Sequence, residues 1–263
     1  MSETALRLGV FFGIFACMAV WELLAPRRQR VLERGGRWAT NWGISLVNSG
    51  ITVLMKGALG AAAVVAALDA ASLGVGLFHT VDWPLWAEVL VAFVVLDFAI
   101  WFQHWASHKV PILWRLHRVH HADRDIDVTT AIRFHPIEIA LSMIFKIGLV
   151  YALGAPVVAV ILFEVVLNGA AMFNHANIRL PKGVDRWLRL AVVTPDMHRV
   201  HHSIERAEHD ANFGFNLSIW DRLFGTYVDQ PAGGHGGMTI GLPDHQTEAP
   251  ARLIWSLGFP FRK

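Results

Sequence analysis

The chain has 263 residues, of which 54% are hydrophobic and 17% charged, and its mean hydropathy is +0.41. Soluble domains carry about 25% charged residues, so this composition points to a membrane protein. A formal charge of +2 is too small to argue for nucleic acid, and no lysine or arginine block reads as a nucleic-acid face; the one cysteine, Cys17, excludes an intrachain disulfide, a cysteine-bound iron–sulfur cluster and a cysteine zinc site.

The first apolar run, "LGVFFGIFACMAVWELLAP", is about long enough to cross a bilayer, which takes roughly 20 residues. It lacks a basic leader and a small-residue cleavage site, so it reads as a retained helix and not as a signal peptide. The following "RRQRVLERGGR" carries Arg27, Arg28, Arg30, Arg34 and Arg37, which the positive-inside rule places in the cytoplasm. A second run, Trp42 to Leu68, is expected to return outward, with Lys56 marking a break or an interfacial stretch. "PLWAEVLVAFVVLDFAIWF" brings the chain back and leaves His104 at the cytoplasmic end. Residues 137–173 form two apolar stretches around Gly154-Ala155-Pro156, the pattern of a helical hairpin. The last 88 residues are more polar and close on "LIWSLGFPF", an expected interfacial segment. The fold expected is all-α: a single integral membrane domain over residues 1–263, with four to five membrane-embedded helices including the hairpin, and a cytoplasmic helical cap.

The pentapeptide "HRVHH" occurs twice, at His117 to His121 and at His198 to His202. The flanks differ, so it is not an internal repeat. With "HWASH", which sets His104 and His108 four residues apart, the segments supply eight imidazoles at spacings of three and four: His104, His108, His117, His120, His121, His198, His201 and His202. On helices such spacings share one face, and the topology brings all three faces to one membrane surface. The two pentapeptides then read as opposing walls of one site. Eight nitrogens exceed the four to six that one transition metal uses, so two metals are implied. Imidazole suits zinc, copper, iron and nickel alike. A zinc protease needs H-E-x-x-H, and Trp105 occupies the second position of "HWASH".

His135 and His175 lie at the two ends of the hairpin and are further candidate ligands, whereas His79, His209, His235 and His245 read as bystanders. Asp97, seven residues before His104 on the same face, is a candidate to accept a hydrogen bond from a ligand imidazole; Glu138, Asp196 and Asn212 are weaker candidates for such roles. Glu164 and Asn168 are costly in lipid and are expected to face the bundle or a substrate cavity. Trp101, Trp105, Trp114 and Trp220 read as packing or interfacial anchors.

At these residues the sequence resembles the fatty acid hydroxylase and sterol desaturase superfamily of membrane oxygenases. That family is marked by H-x3-4-H followed by two H-x2-H-H boxes, matched by His104/His108, His117/His120/His121 and His198/His201/His202. "TAIRFHPIE", "NHANIRLP" and "NFGFNLSIWDRLFGTY" add to the likeness, which covers roughly residues 90–228. The resemblance implies two iron ions, for which zinc can substitute in purified protein, with dioxygen as co-substrate for hydroxylating or desaturating a lipid C–H bond. It also implies a ligand role for His175. Some members carry another histidine one turn earlier, where this chain has Ala171, and His135 is the candidate to fill that gap. The sequence lacks a fused haem domain and a GxGxxG motif. Electrons are therefore expected from a separate donor protein, a small haem or iron–sulfur carrier with its reductase. The competing reading is a histidine-rich membrane protein that binds or transports metal.

Overall fold

The structure is a computed structural model that describes residues 3–59 and 62–262, without the side chains of 3, 4 and 56–59. In chain order the principal helices are α1 (Glu3–Leu24), α2 (Arg34–Leu59), α3 (Ala63–Leu73), α4 (Leu85–Lys109) and α5 (Pro111–His121), then α6 (Pro136–Leu153), α7 (Val157–His175), α8 (Lys182–Leu188) and α9 (Pro195–His201). Shorter helical turns follow, and the described residues contain isolated bridges but no sheet.

Four helices, α1, α4, α6 and α7, are long and apolar enough to cross a membrane. They leave large side chains such as Leu6, Phe12, Leu90, Phe102, Ile144 and Val158 exposed, which a helix tolerates when lipid is its solvent. The chain is an integral membrane helical bundle. The hairpin forms as expected. Gly154, at φ 63°, closes α6 by donating its N–H to the Tyr151 carbonyl, and Pro156 opens α7.

The expected second crossing is divided. α2 starts at Arg34, eight residues before Trp42, and runs helically through Lys56, whose side chain lies outside the described residues. α3 has only 11 residues, about 16 Å of helix, too short to span. The division has a physical cause: α2 carries Asn41, Ser45, Asn48, Ser49 and Thr52 along its length, so its polar side needs the cap and a cavity, not lipid. α3 instead packs Ala63, Ala66, Ala67 and Ala70 against the hairpin.

The C-terminal ends of α1, α4 and α7 and the N-terminal ends of α2 and α6 meet one polar cap. Arg37 on α2, fully buried, clamps Asp123 with Nε–Oδ1 2.7 Å and Nη2–Oδ2 2.8 Å, and Asp127 with Nη1–Oδ2 2.7 Å. Arg133, equally buried, donates to the Val119 carbonyl, Asn41 Oδ1 and Ser256 Oγ. The closing "LIWSLGFPF" is half cap and half surface: Phe259 packs on Ile44 and Val119, while Ile254 and Phe261 are exposed.

Candidate metal centre

Each histidine box is delivered by a helix with a defined start. Pro111 opens α5 and Pro195 opens α9, where proline's missing N–H costs nothing, and Thr194 Oγ1 accepts from the Met197 N–H to cap α9. α4 runs unbroken from the membrane into the cap and carries His104 and His108 on its last two turns.

The imidazoles sort into two buried groups. His104, His108, His117, His121 and His201 form the first, and His120, His175, His198 and His202 the second; within each, one candidate ligand nitrogen per residue lies within 4.8 Å of all the others. Each pentapeptide serves both groups. In the first, the i and i+4 residues (His117, His121) join the five-membered group and His120 crosses to the other. In the second the roles are exchanged: His198 and His202 join the four-membered group and His201 crosses.

Ring orientation is set from behind. His104 Nδ1 donates to the Phe213 carbonyl at 2.7 Å, His201 Nδ1 to the Ala211 carbonyl at 2.7 Å, and His175 Nδ1 to the Ala171 carbonyl at 2.7 Å. His117 Nδ1 donates to Glu138 Oε1 at 2.6 Å. These partners fix the tautomer and turn Nε2 inward. The inward nitrogens crowd together: His104 and His117 Nε2 are 3.1 Å apart, and His175 Nε2 lies 3.1 Å from His120 Nε2 and 3.0 Å from His198 Nε2. Asn212 makes this possible. At φ 54°, a conformation asparagine tolerates, it turns the chain so that both flanking carbonyls, of Ala211 and Phe213, face ligand rings.

Burial, reinforced by neighbouring imidazoles, pushes His120, His121, His198 and His202 well below the ordinary imidazole range, and burial with His104 nearby does the same to His201. The rings are therefore neutral, with lone pairs available. Both nitrogens of His108, His121 and His202 are buried and make no hydrogen bond among the described residues. Buried polar atoms are ordinarily satisfied, and cations would satisfy these. The donor set, two clusters of neutral imidazoles, fits two transition-metal ions.

An apolar cavity of about 640 Å³ ends on this centre. His104, His117, Glu138, Phe134 and Phe215 form its floor; Phe11, Ile100, Ile139 and Leu167 line its walls. Leu8 and Phe12 on α1 and Leu46 and Val53 on α2 line it while remaining exposed, so it opens sideways between these two helices.

Several expectations need correction. His135 stays outside both groups, because its two ring nitrogens are engaged elsewhere: as N-cap of α6, Nδ1 accepts from the Ile137 N–H at 3.2 Å, and Nε2 donates to the Leu257 carbonyl at 3.2 Å. Asp97 does not reach a ligand ring. Seven residues are two helical turns, about 10 Å, and its Oδ2 instead accepts from Trp220 Nε1 at 2.7 Å and the Leu217 N–H. Glu138, ranked lower, is the carboxylate that holds a ring. Asp196 pairs with Arg27 and Arg199.

His175 joins the second group. Of the bystanders, His79 packs beneath Gly154 at the far end of the bundle, His235 faces Asp196, and His245 rests on Phe259. His209 is closer than expected: with His108 and Asp210 it forms a third set of possible ligands, and burial holds its pKa at about 4. Asn168 lines the cavity, while Glu164 binds Lys146 Nζ at 2.7 Å and also Arg7, so the intramembrane carboxylate is neutralised by cations. The lone Lys146 inside an apolar run was the available signal for that pairing. Trp101 and Trp220 are packing residues that donate to Asp221 and Asp97, Trp105 stacks on Phe102, and Trp114 lies against the rings of His108, His121 and His209.

Comparison with known proteins agrees with this architecture. The fatty acid hydroxylase family model matches residues 89–226. An ornithine lipid hydroxylase from Rhizobium tropici is 30% identical over 229 residues, covering 84% of this chain and 67% of that protein. Alkylglycerol monooxygenases are 32% identical over 149 residues in Xenopus tropicalis and 34% over 137 in Homo sapiens, covering 56% and 52% of this chain but only 31% and 29% of those proteins. No solved structure matches. With the family match spanning all three histidine boxes, the chain belongs to the fatty acid hydroxylase family.

Proposed function

We propose that this protein is a lipid hydroxylase that inserts one atom of dioxygen into a C–H bond of a lipid chain, at a two-iron centre held by the two imidazole groups. The observation that carries the reading is the cavity: an apolar pocket, open toward lipid, whose floor is His104 and His117. The relatives named as hydroxylases and monooxygenases favour hydroxylation over desaturation.

His104, His108, His117, His121 and His201 would hold one ion and His120, His175, His198 and His202 the other. Two irons so bound would supply the oxidising power that side chains lack, for the balance R–H + O₂ + 2e⁻ + 2H⁺ → R–OH + H₂O. The chain's own residues do the rest. Glu138 and the carbonyls of Ala171, Ala211 and Phe213 hold the ligand rings in one tautomer. Phe134, stacked on His120 at 4.3 Å, and Phe215, 5.1 Å from His104, flank the His104 and His117 floor with apolar rings that disfavour water at the reacting end. The opening between α1 and α2 admits an acyl chain from the bilayer.

The histidine end is proposed to face the cytoplasm, supported by the arginine-rich loop after α1. Electrons are proposed to come from a separate haem or iron–sulfur carrier: these residues contain one cysteine, exposed on α1, and cannot form a cysteine-bound cluster themselves. The test is metal analysis together with ¹⁸O₂ labelling of membrane lipids in cells expressing the protein. The expected result is two irons per chain, or zinc in iron-poor preparations, and one ¹⁸O atom in a lipid product. Protein without bound transition metal, or iron-loaded protein yielding no labelled lipid, would overturn the reading.

A further inference from the structure

A cavity that only accommodates hydrocarbon needs no polar lining, because a buried hydroxyl or amide without a partner costs free energy. This cavity nonetheless has a belt of polar side chains in its lining, two of them next in sequence to the box histidines of α4. Ser107 on α4 is the sharpest case. It lies one residue before His108 and three after His104, is 5% exposed and lines the cavity, and its hydroxyl, without a hydrogen-bond partner among the described residues, is open to the cavity space. Serine in a membrane helix ordinarily donates to the carbonyl four residues back. Ser49 and Thr52 on α2 do that here, each at 2.9 Å. Ser107 does not.

One turn earlier on α4, Gln103 also lines the cavity. Its Oε1 accepts from Ser142 Oγ at 3.1 Å, and its side-chain N–H groups have no partner among the described residues. Also lining the cavity, Asn48 on α2 donates to the Phe134 carbonyl at 2.9 Å, and that bond assigns its remaining oxygen, Oδ1, as a buried acceptor without a donor among the described residues. The belt thus offers both donors and acceptors. It sits beside the floor because Ser107 adjoins the ligand His108 and Asn48 holds the peptide whose ring covers His120.

We infer that the substrate is a lipid bearing a neutral group that both donates and accepts hydrogen bonds, an amide or a hydroxyl, a few bonds from the carbon to be oxidised, and that Gln103 and Ser107 hold this group. They are positioning and specificity residues, and the assignment rests on the hydroxylase reading for the word substrate. A plain alkane or ether chain leaves the belt unpaired and is selected against. Neither residue is a ligand, and Gln103→Leu with Ser107→Ala makes α4 more apolar within the membrane, so the variant is expected to fold.

The test uses two matched probe pairs bound competitively to the metal-loaded protein in nanodiscs without dioxygen: N-hexadecylacetamide against its N-methyl derivative, and hexadecanol against its methyl ether. One pair is expected to show about a tenfold preference for the N–H or O–H member, the size of one hydrogen bond to a buried partner, and that pair identifies the group. In the double variant the preference is expected to collapse while affinity for the methylated member is retained. Equal affinity within both pairs on the wild-type protein, or a preference that survives the double substitution, would overturn the inference. Admitting dioxygen and electrons afterwards separates the two readings: discrimination without oxidation sinks the hydroxylase and leaves the belt standing, whereas oxidation without discrimination does the reverse.

Discussion

The two HRVHH segments have the same five letters and different surroundings. Their histidines and valines do equivalent work. Val119 and Val200 are both fully buried behind the imidazoles, and each segment sends two rings to one group and one to the other. Their arginines diverge. Arg118 is half-buried, with its guanidinium 4.1 Å above the Phe259 ring and a hydrogen bond to the Phe259 carbonyl. Arg199 is fully buried, pairs with Asp196, and donates to the carbonyl of Ala176 just beyond α7. Helical spacing alone fixes the first kind of role, because positions i, i+3 and i+4 share a face wherever the helix lies. The arginine lies off that face, so its role depends on what the fold puts there.

The exchange of roles between the segments predicts the largest effect. Replacing the crossing imidazole of each box, His120→Ala with His201→Ala, takes one ligand from each group. Replacing His117 and His121 takes two from the five-membered group alone. Metal per chain is expected to fall at both sites in the first variant and at one in the second, with lipid oxidation at background in both. Equal metal content in the two variants would break the division into groups.

Next in size are the arginines. Arg199→Met removes a fully buried guanidinium from the part-buried Asp196 carboxylate, which keeps Arg27 at 3.0 Å and the facing His235, and is expected to cost about 2 kcal/mol. Arg118→Met loses a partly exposed contact and should stay within about 0.5 kcal/mol. Thermal unfolding in detergent separates them, and similar losses would mean that context does not distinguish the two boxes.

Acid sharpens the same contrast. Asp123, which follows the first box, would be raised by burial alone, but the Arg37 guanidinium beside it brings its pKa down from 3.8 to about 2. A carboxyl depressed in the folded state stabilises above its unfolded pKa, so its contribution of about 2 kcal/mol is complete above about pH 4 and is lost as pH falls toward 2. In Asp123→Asn this pH-dependent component is expected to vanish, leaving a flatter acid limb in the unfolding midpoint against pH.

Much of this was legible in the sequence, for identifiable reasons. Unbroken apolar runs marked α1, α4 and the hairpin, and Gly154 with Pro156 marked its turn. The box spacing marked eight imidazoles that the fold gathers into the two groups, because spacing along one helix is local. Relations between elements were not local. Nothing in the order of letters says that α5 and α9 face each other so that i and i+4 separate from i+3. The same limit explains Asp97 and His135, each chosen for its place along the chain and each claimed by a partner from another element, Trp220 and Leu257. The carbonyls of Ala211 and Phe213 that orient two rings carry no side-chain signature at all, although Asn212 between them marks a turn that tolerates positive φ.

The smallest predicted effect concerns the membrane helices that complete the two groups. α4 contributes His104 and His108 at i and i+4; α7 presents the same spacing as Ala171 and His175, with one imidazole only. Ala171 is buried, lines the cavity, and its carbonyl receives the His175 Nδ1–H. Ala171→His keeps that carbonyl, adds a fifth imidazole to the smaller group, and narrows the cavity at its floor. Loss of the second metal to a chelator is expected to slow about tenfold, in line with the effect of single groups on metal affinity, while KM for the lipid rises because the ring takes space from the chain. If chelator resistance were unchanged and only KM rose, position 171 would face the cavity and not the metal. The smaller group would then be complete at four ligands, and the asymmetry between α4 and α7 would belong to substrate access instead of metal retention.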